Sequence, residues 1–281
     1  MNREVFGTSV QGASHIRTGK ECQDSLKKVE VDEHTVILTV ADGHGSESCP
    51  YSKTGSYVAV NVFCKIMGEY IENFEHDTET LLTFLKREGD TKIAQAIDME
   101  WKRRILKIHS NYKREVTYDA DGNKNKKEIY KLYGSTLVGM VLTETYLFAF
   151  QLGDGDMIMV SEAGVQNILD SDKILGIETH SLSKEGAWKK AITDVRKFEQ
   201  SADLPVMFML STDGLANSYK NESEFHKTCT DYYQLIKEHG AGSVSEHLKE
   251  WLAETSELGC GDDITALFAY FDKESEECSN K

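Results

Sequence analysis

Thr35-Val-Ile-Leu-Thr-Val-Ala-Asp-Gly-His-Gly45 is the stretch on which the fold turns. Its first seven residues form a short, continuous apolar run rich in β-branched side chains, which reads as a strand buried on both faces. The run stops at Asp42-Gly43, so a carboxylate stands at the strand end. The same pattern recurs along the chain. Asp154 follows the apolar run Tyr146 to Leu152, Asp213 follows Val206 to Leu210, and Asp262 and Asp263 precede the run from Ile264 to Phe271. Asp24 sits just before Leu26. If these strands share a core, their aspartates gather at one rim of it.

Around these strands the chain alternates with helical patterns. Val58, Val62, Ile66 and Tyr70 recur every four residues and predict a helix from about Lys53 to Phe74. A second helical stretch is expected from Thr78 to Ser110 with a break at Gly89, and two more from Glu222 to Glu238 and Val244 to Leu258. Residues 115–133 read as a polar hairpin around Asp121-Gly122. Leu137 to Leu142 and Tyr146 to Leu152 are separated by three residues and should pair antiparallel, with Met157 to Val160 continuing the meander. Hairpins mixed with long helices argue for an α+β layered fold, not a doubly wound parallel sheet. With two prolines and no repeat or linker in 281 residues, one domain is expected over 1–272, followed by an acidic, fraying tail at 273–281.

The formal charge is −15, from 47 acidic and 32 basic residues. This balance opposes binding to nucleic-acid phosphates or to an anionic membrane surface. It reads either as solubility or as carboxylates concentrated to hold cations, and the two are compatible. No apolar run approaches the ~20 residues that cross a bilayer, and the first residues hold no apolar signal core. The six cysteines form no C-x-x-C pair. The expectation is therefore a cytoplasmic, monomeric protein with reduced thiols and no cysteine zinc site. Dinucleotide and P-loop glycine motifs are absent.

Asp-Gly is a common tight-turn dipeptide, so Asp42-Gly43, Asp154-Gly155 or Asp213-Gly214 alone reads as a turn. Asp121-Gly122 abuts no apolar strand and is read as a turn only. The other three stand out jointly, each beside a buried strand. Clustered carboxylates without soft ligands suit magnesium or manganese, and would repel one another strongly without a cation. Two such ions about 3.5–4 Å apart can share a water and clamp a phosphoryl group for in-line attack. His44, next to Asp42-Gly43, is placed to give the leaving alkoxide its proton, or else packs a turn.

The ordered set Gln23-Asp24-Ser25, Val40-Ala-Asp-Gly-His-Gly45, Gly134-Ser-Thr136, Gly153-Asp-Gly-Asp156, Ser211-Thr-Asp-Gly-Leu215 and Gly261-Asp-Asp-Ile-Thr265 resembles the metal-dependent type 2C protein serine/threonine phosphatases, from about residue 9 to 271. The resemblance implies a four-layer α-β-β-α sandwich, with two antiparallel sheets flanked by helices. It implies two Mn2+ or Mg2+ ions at one end, bridged by Asp42. The Gly43 carbonyl would ligate one ion, Asp213 and Asp262 would complete the shell of the second ion, and Asp24 would act near the metals, often through water. His44 would be the general acid, and Asp154 would serve the third, weaker ion seen in many members. Gly134-Ser-Thr136 would pack a strand close to the site. The substrate implied is a phosphorylated protein.

The departures are specific. Gln23 replaces an acidic residue, Asp263 replaces an asparagine, and Gly155-Asp156 replaces Ser-Arg. The phosphate-binding arginine five residues before Asp24 is Gly19 here, flanked by Arg17 and Lys20. Arg17 is the preferred substitute, because a guanidinium holds phosphate bidentately, with an ordinary surface arginine as the alternative. His15-Ile-Arg17 through Cys22-Gln-Asp24 is more similar to a divergent, largely prokaryotic branch. Residues 162–204 lie where the family has a flap, with His180 either assisting the site or packing the flap. The insertion at 112–132 carries Lys113, Arg114, Lys124, Lys126, Lys127 and Lys131, as a solvated hairpin or a dock for an acidic partner. Two other functions remain open: a pseudophosphatase that binds a phosphoprotein, and hydrolysis of a small phosphate ester.

Overall fold

The computed structural model describes residues 2–74, 77–118, 121–169, 180–198 and 204–272. Ten strands form two five-stranded antiparallel sheets. The first sheet is ordered β1 (Asn2–Val10), β10 (Ile264–Asp272), β9 (Val206–Ser211), β6 (Asp156–Ser161), β7 (Gly164–Asn167). The second is ordered β2 (Ser25–Glu30), β3 (Thr35–Ala41), β4 (Leu137–Thr143), β5 (Tyr146–Leu152), β8 (Ile192–Lys197). The α+β sandwich expected from the resemblance is the architecture found.

Strand alternation builds the layers. In β3, Val36, Leu38 and Val40 face the space between the sheets, where they meet Phe208, Leu210, Leu267 and Ala269. Ile37 and Ala41 point the other way, into a core with helices α2 (Ser52–Asn73), α3 (Thr78–Glu88) and α4 (Ala94–Asn111). In β10, Phe268 and Tyr270 face α7 (Glu222–Leu258), while Leu267, Ala269 and Phe271 face the sheet interface. Both faces are thus covered, which is why these strands read as unbroken apolar runs. Among the described residues no helix is long and apolar enough to cross a membrane.

The break expected at Gly89 is a single π turn, Gly89–Ile93, between α3 and α4. α7 likewise breaks at Gly240, which sits at φ 80°, ψ 153°. Two expectations need correction. Met157 to Val160 does not continue the β4–β5 meander: β6 pairs with β9 and β7 in the opposite sheet. Gly153 (φ 111°) turns the chain there, and a Cβ on Gly155 would stand 2.6 Å from the Ser211 carbonyl oxygen of β9. Residues 115–133 are not a simple hairpin either. A short bridge joins Tyr118 to Lys124, but helix α5 (Lys126–Lys131) follows, with the Asn125 side chain capping Glu128 N–H. Two further helices, α1 (Ala13–Thr18) and α6 (Asp213–Ala216), are single turns beside the strand-end aspartates. The tail at 273–281 lies outside the described residues, as does Thr179 of the expected flap.

Candidate active site

Asp42 leaves the end of β3, and both its backbone groups are fixed. Its N–H donates to Thr136 Oγ1 and its carbonyl accepts from Thr136 N–H, each at 2.9 Å. Gly43 bridges Ser135 in the same register, with the Gln23 carbonyl oxygen only 2.5 Å from where a Cβ would stand. His44 N–H then donates to the Gly134 carbonyl at 3.1 Å, and a Cβ on Gly134 would fall 2.4 Å from the His44 ring. The stretch Gly134-Ser135-Thr136 is therefore a template that sets Asp42, Gly43 and His44 in turn. Only glycine at 134 leaves room for the imidazole.

Asp24 is buried just before β2 and belongs by backbone to the second sheet. Its carboxylate is held by the first: Thr212 and Thr265 hydroxyls donate to Oδ2 at 2.7 and 2.8 Å. These threonines also tie β9 to β10, because Thr265 N–H donates to Thr212 Oγ1 and Thr212 N–H to the Thr265 carbonyl. Oδ1 is buried with no hydrogen-bond partner. Burial pushes the Asp24 carboxyl up to about 7; the Thr212 hydroxyl opposes this, and the Asp263 charge adds to it. Burial likewise holds Asp42 well above the usual carboxylate range, reinforced by the charges of Asp24, Asp213 and Asp262. Three of the expected aspartates, Asp24, Asp213 and Asp262, thus lie close enough to Asp42 for their charges to act on it. Asp154 stands on the adjoining turn, where Gly153 packs against Thr136.

This donor set fits a hard divalent cation. Carboxylates and backbone carbonyls surround Asp42, and a cation there would offset both the burial and the mutual repulsion. Among the described residues, no three His, Cys, Asp or Glu side chains already close on one metal-binding point. The aspartates are gathered without a closed shell.

Sequence reasoning singled out Asp263 as a departure but left open its role, which is to tie this end together. Asp263, only 3 % exposed, accepts from Gly12 N–H and Gln23 N–H at 2.7 Å each, while His15 Nδ1 lies 2.9 Å from its Oδ1. His15 is itself buried, with Nε2 3.8 Å from Asp262 Oδ1 and close to Gly45. The asparagine-to-aspartate departure at 263 therefore goes with a buried histidine 248 residues away. A buried-histidine signal was present in the quoted His15-to-Asp24 stretch but had no visible partner.

The two proposed phosphate cations sit on opposite sides of this rim. Arg17 is exposed on α1, its guanidinium 3.6 Å from where a Cβ of Gly261 would stand. Lys20 Nζ donates to the Gly45 carbonyl at 2.8 Å, beside His44. His180 is exposed; its neighbours Ser181 and Leu182 dock on Ser135, with Ser135 N–H donating to Ser181 Oγ and Leu182 N–H to the Ser135 carbonyl. Asp121 lies in the exposed turn enclosed by the Tyr118–Lys124 bridge. Burial pushes the Cys229 thiol of α7 up to about 12, and the Asp156 charge adds to it, so Asp156 lies near the buried side of that helix.

Residues 11–253 match the family model described as Protein phosphatase 2C. The chain belongs to the protein phosphatase 2C family. It is a phosphatase. The structure of the S. agalactiae serine/threonine phosphatase matches it at 15 % identity and TM-score 0.64, over 96 % of this chain and 100 % of the other. The catalytic domain of the serine/threonine phosphatase PstP in complex with two manganese ions matches at 14 % and 0.58, over 96 % and 99 %. PppA, described as a regulatory component of T6SS in Pseudomonas aeruginosa, matches at 16 % and 0.57, over 96 % and 99 %. At these identities the likeness is one of fold. No curated protein matches the chain.

Proposed function

We propose that this phosphatase removes phosphate from phosphoserine and phosphothreonine in proteins. The observation that carries this reading is the convergence of Asp24, Asp213 and Asp262 on Asp42, beside an imidazole seated on Gly134. Two Mn2+ or Mg2+ ions held by Asp42, the Gly43 carbonyl, Asp213 and Asp262, with Asp24 nearby, would supply an activated water and a clamp on the phosphoryl oxygens. Asp154 would serve a third ion.

The chain's own groups do the rest. Thr136 and Ser135 fix the backbone of Asp42 and Gly43, so the main chain that would present them to an ion is already held in place. His44 carries the proton that the serine or threonine alkoxide takes as it leaves. Arg17, with Lys20 across the rim, orients the phosphate by charge and hydrogen bonding. The His15–Asp263 pair keeps the segment that bears both cations docked on the loop that bears Asp262.

The test is manganese-dependent hydrolysis of para-nitrophenyl phosphate and of phosphothreonine peptides by the full chain, beside Asp213→Asn. Turnover that requires the metal and disappears in Asp213→Asn supports the reading. Wild-type turnover no higher than the variant's, with manganese present, overturns it.

A further inference from the structure

A cleft of about 310 Å³ opens where the end of α4 meets α5 and the segment between them. Lys113, Arg114, Lys124 and Lys126 line it, together with His109, and among the described residues no acidic side chain does. This is a local reversal in a chain of net charge −15. The other two cations of the insertion are neutralised: Lys127 pairs with Glu185 and Lys131 with Glu128, each at 2.5 Å. Lys113, Lys124 and Lys126 have no ion pair among the described residues.

The cleft also has a fixed floor. The Arg114 guanidinium lies 3.5 Å from the centre of the Tyr51 ring and donates to the Tyr133 hydroxyl at 2.5 Å. That hydroxyl is 3.1 Å from Nδ1 of buried His109, whose Nε2 is 2.9 Å from the Glu115 carbonyl. A guanidinium held this way keeps its charge aimed with little entropy left to lose on binding. Tyr133 is followed directly by Gly134, on which the His44 ring sits. Cleft and active site are therefore joined through adjacent residues of one rigid segment.

We propose that this cleft is an anion subsite for a side chain that flanks the scissile phosphoresidue of the protein substrate. The inference rests on the phosphoprotein reading above and deepens it to a substrate class: phosphoproteins with an acidic or second phosphorylated residue near the site of cleavage. A carboxylate or a phosphate satisfies the same chemistry, and both are paired most strongly by the ordered guanidinium.

The test uses the full chain and a Lys113→Ala/Lys124→Ala/Lys126→Ala variant, which leaves Arg114 and its stacking untouched. Phosphothreonine peptides carrying neutral, glutamate or phosphoserine flanks separate the two anion sources. For wild type, kcat/KM on an anionic flank should exceed that on a neutral one by about tenfold, the worth of a few partly screened ion pairs. The variant should keep only the part of that preference that Arg114 supplies, while keeping its rate on para-nitrophenyl phosphate. A second arm measures fluorescence anisotropy of a labelled glutamate-rich peptide without any phosphothreonine, so it needs no turnover. Binding to wild type that is weakened in the variant supports the cleft even if no substrate is hydrolysed, in which case only the catalytic reading falls. Equal treatment of anionic and neutral peptides by wild type in both arms, or a preference undiminished in the variant, overturns the proposal.

Discussion

Replacing Asp263 tests how the active-site end is assembled. Its two oxygens serve three donors: Oδ1 takes Gly12 N–H and His15 Nδ1, and Oδ2 takes Gln23 N–H. All three contacts are 2.9 Å or shorter, and the carboxylate is almost fully enclosed. Asp263→Ala leaves these donors without an acceptor. At about 1–3 kcal/mol for each stranded donor, with His15 free to turn and water reaching the partly buried Gln23 amide, the loss should be about 3–6 kcal/mol. Asp263→Asn keeps the shape and one acceptor oxygen but turns an NH2 toward a donor, so about 1.5–3 kcal/mol should be lost. At about 2–4 °C per kcal/mol, Asp263→Ala should melt roughly 10 °C or more below wild type. Urea unfolding followed by far-UV circular dichroism, without metal, gives both free energies. Asp262→Ala is the control, one residue away with its side chain 54 % exposed, and should change stability by less than about 1 kcal/mol. The reasoning is refuted if Asp263→Ala unfolds within about 0.5 kcal/mol of wild type, or if asparagine is as stable as aspartate.

Other substitutions separate folding from chemistry. Gly134→Ala places a methyl 2.4 Å from the His44 ring, so phosphatase activity should fall at least tenfold while circular dichroism stays native; undiminished kcat would contradict the role given to Gly134. Gly55→Ala in α2 sets a Cβ 1.9 Å from the Tyr133 carbonyl oxygen, so it should cost about 2 kcal/mol or more in urea unfolding and draw Tyr133 away from Arg114. Asp42→Asn removes one charge from a crowded carboxylate group, so the metal-free protein should be no less stable than wild type. The same variant should lose the stabilisation that manganese gives wild type, about 2.7 kcal/mol at a hundredfold excess over Kd. Thermal melts with and without manganese check both halves, and a full metal shift in Asp42→Asn would count against the site.

The parts of the fold legible in the sequence are those whose two faces are both covered. β3, β4, β5, β9 and β10 announce themselves because helices and the opposite sheet bury alternate side chains, leaving few polar positions in the run. β1, β2, β7 and β8 went unread, because each is the end strand of a sheet and carries exposed polar side chains such as Lys28, Gln166 and Lys197. β6 was seen but given to the wrong sheet. Nothing in Met157 to Val160 encodes which sheet it joins; the crossing depends on Gly153 and on how closely Gly155 approaches Ser211. α5 had a local signal, an Asn125 cap followed by Glu128, that the Asp121-Gly122 turn obscured. In the site, the strand-end aspartates were legible because strand ends are local. The partners that hold them were not: Asp24 finds Thr212 and Thr265 across 188 and 241 residues, and His15 finds Asp263 across 248.

Those long-range partners say how the site is built. Asp42 is carried by the second sheet, while Asp213 and Asp262 are carried by the strand ends of the first. Apolar packing between the sheets sets their spacing only loosely at the rim, because the core is behind it. What fixes the rim is polar. Asp24 starts a strand of the second sheet and is gripped by hydroxyls of the first, and Asp263 does the converse, reaching from β10 to hold the segment that leads into β2. Each link places a carboxylate between the two sheets, at a desolvation cost that hydroxyl, amide or imidazole donors offset. For Asp263 the donors are complete. For Asp24 one oxygen remains buried without any, beside Asp42. The carboxylate with a structural task is thus fully satisfied by donors, while the free oxygen of Asp24 is left facing the Asp42 carboxyl. A divalent ion bound there would join the two sheets through Asp42 on one side and Asp213 and Asp262 on the other. Metal affinity and the docking of the sheets at this rim are then linked, and a substitution that loosens either should weaken both.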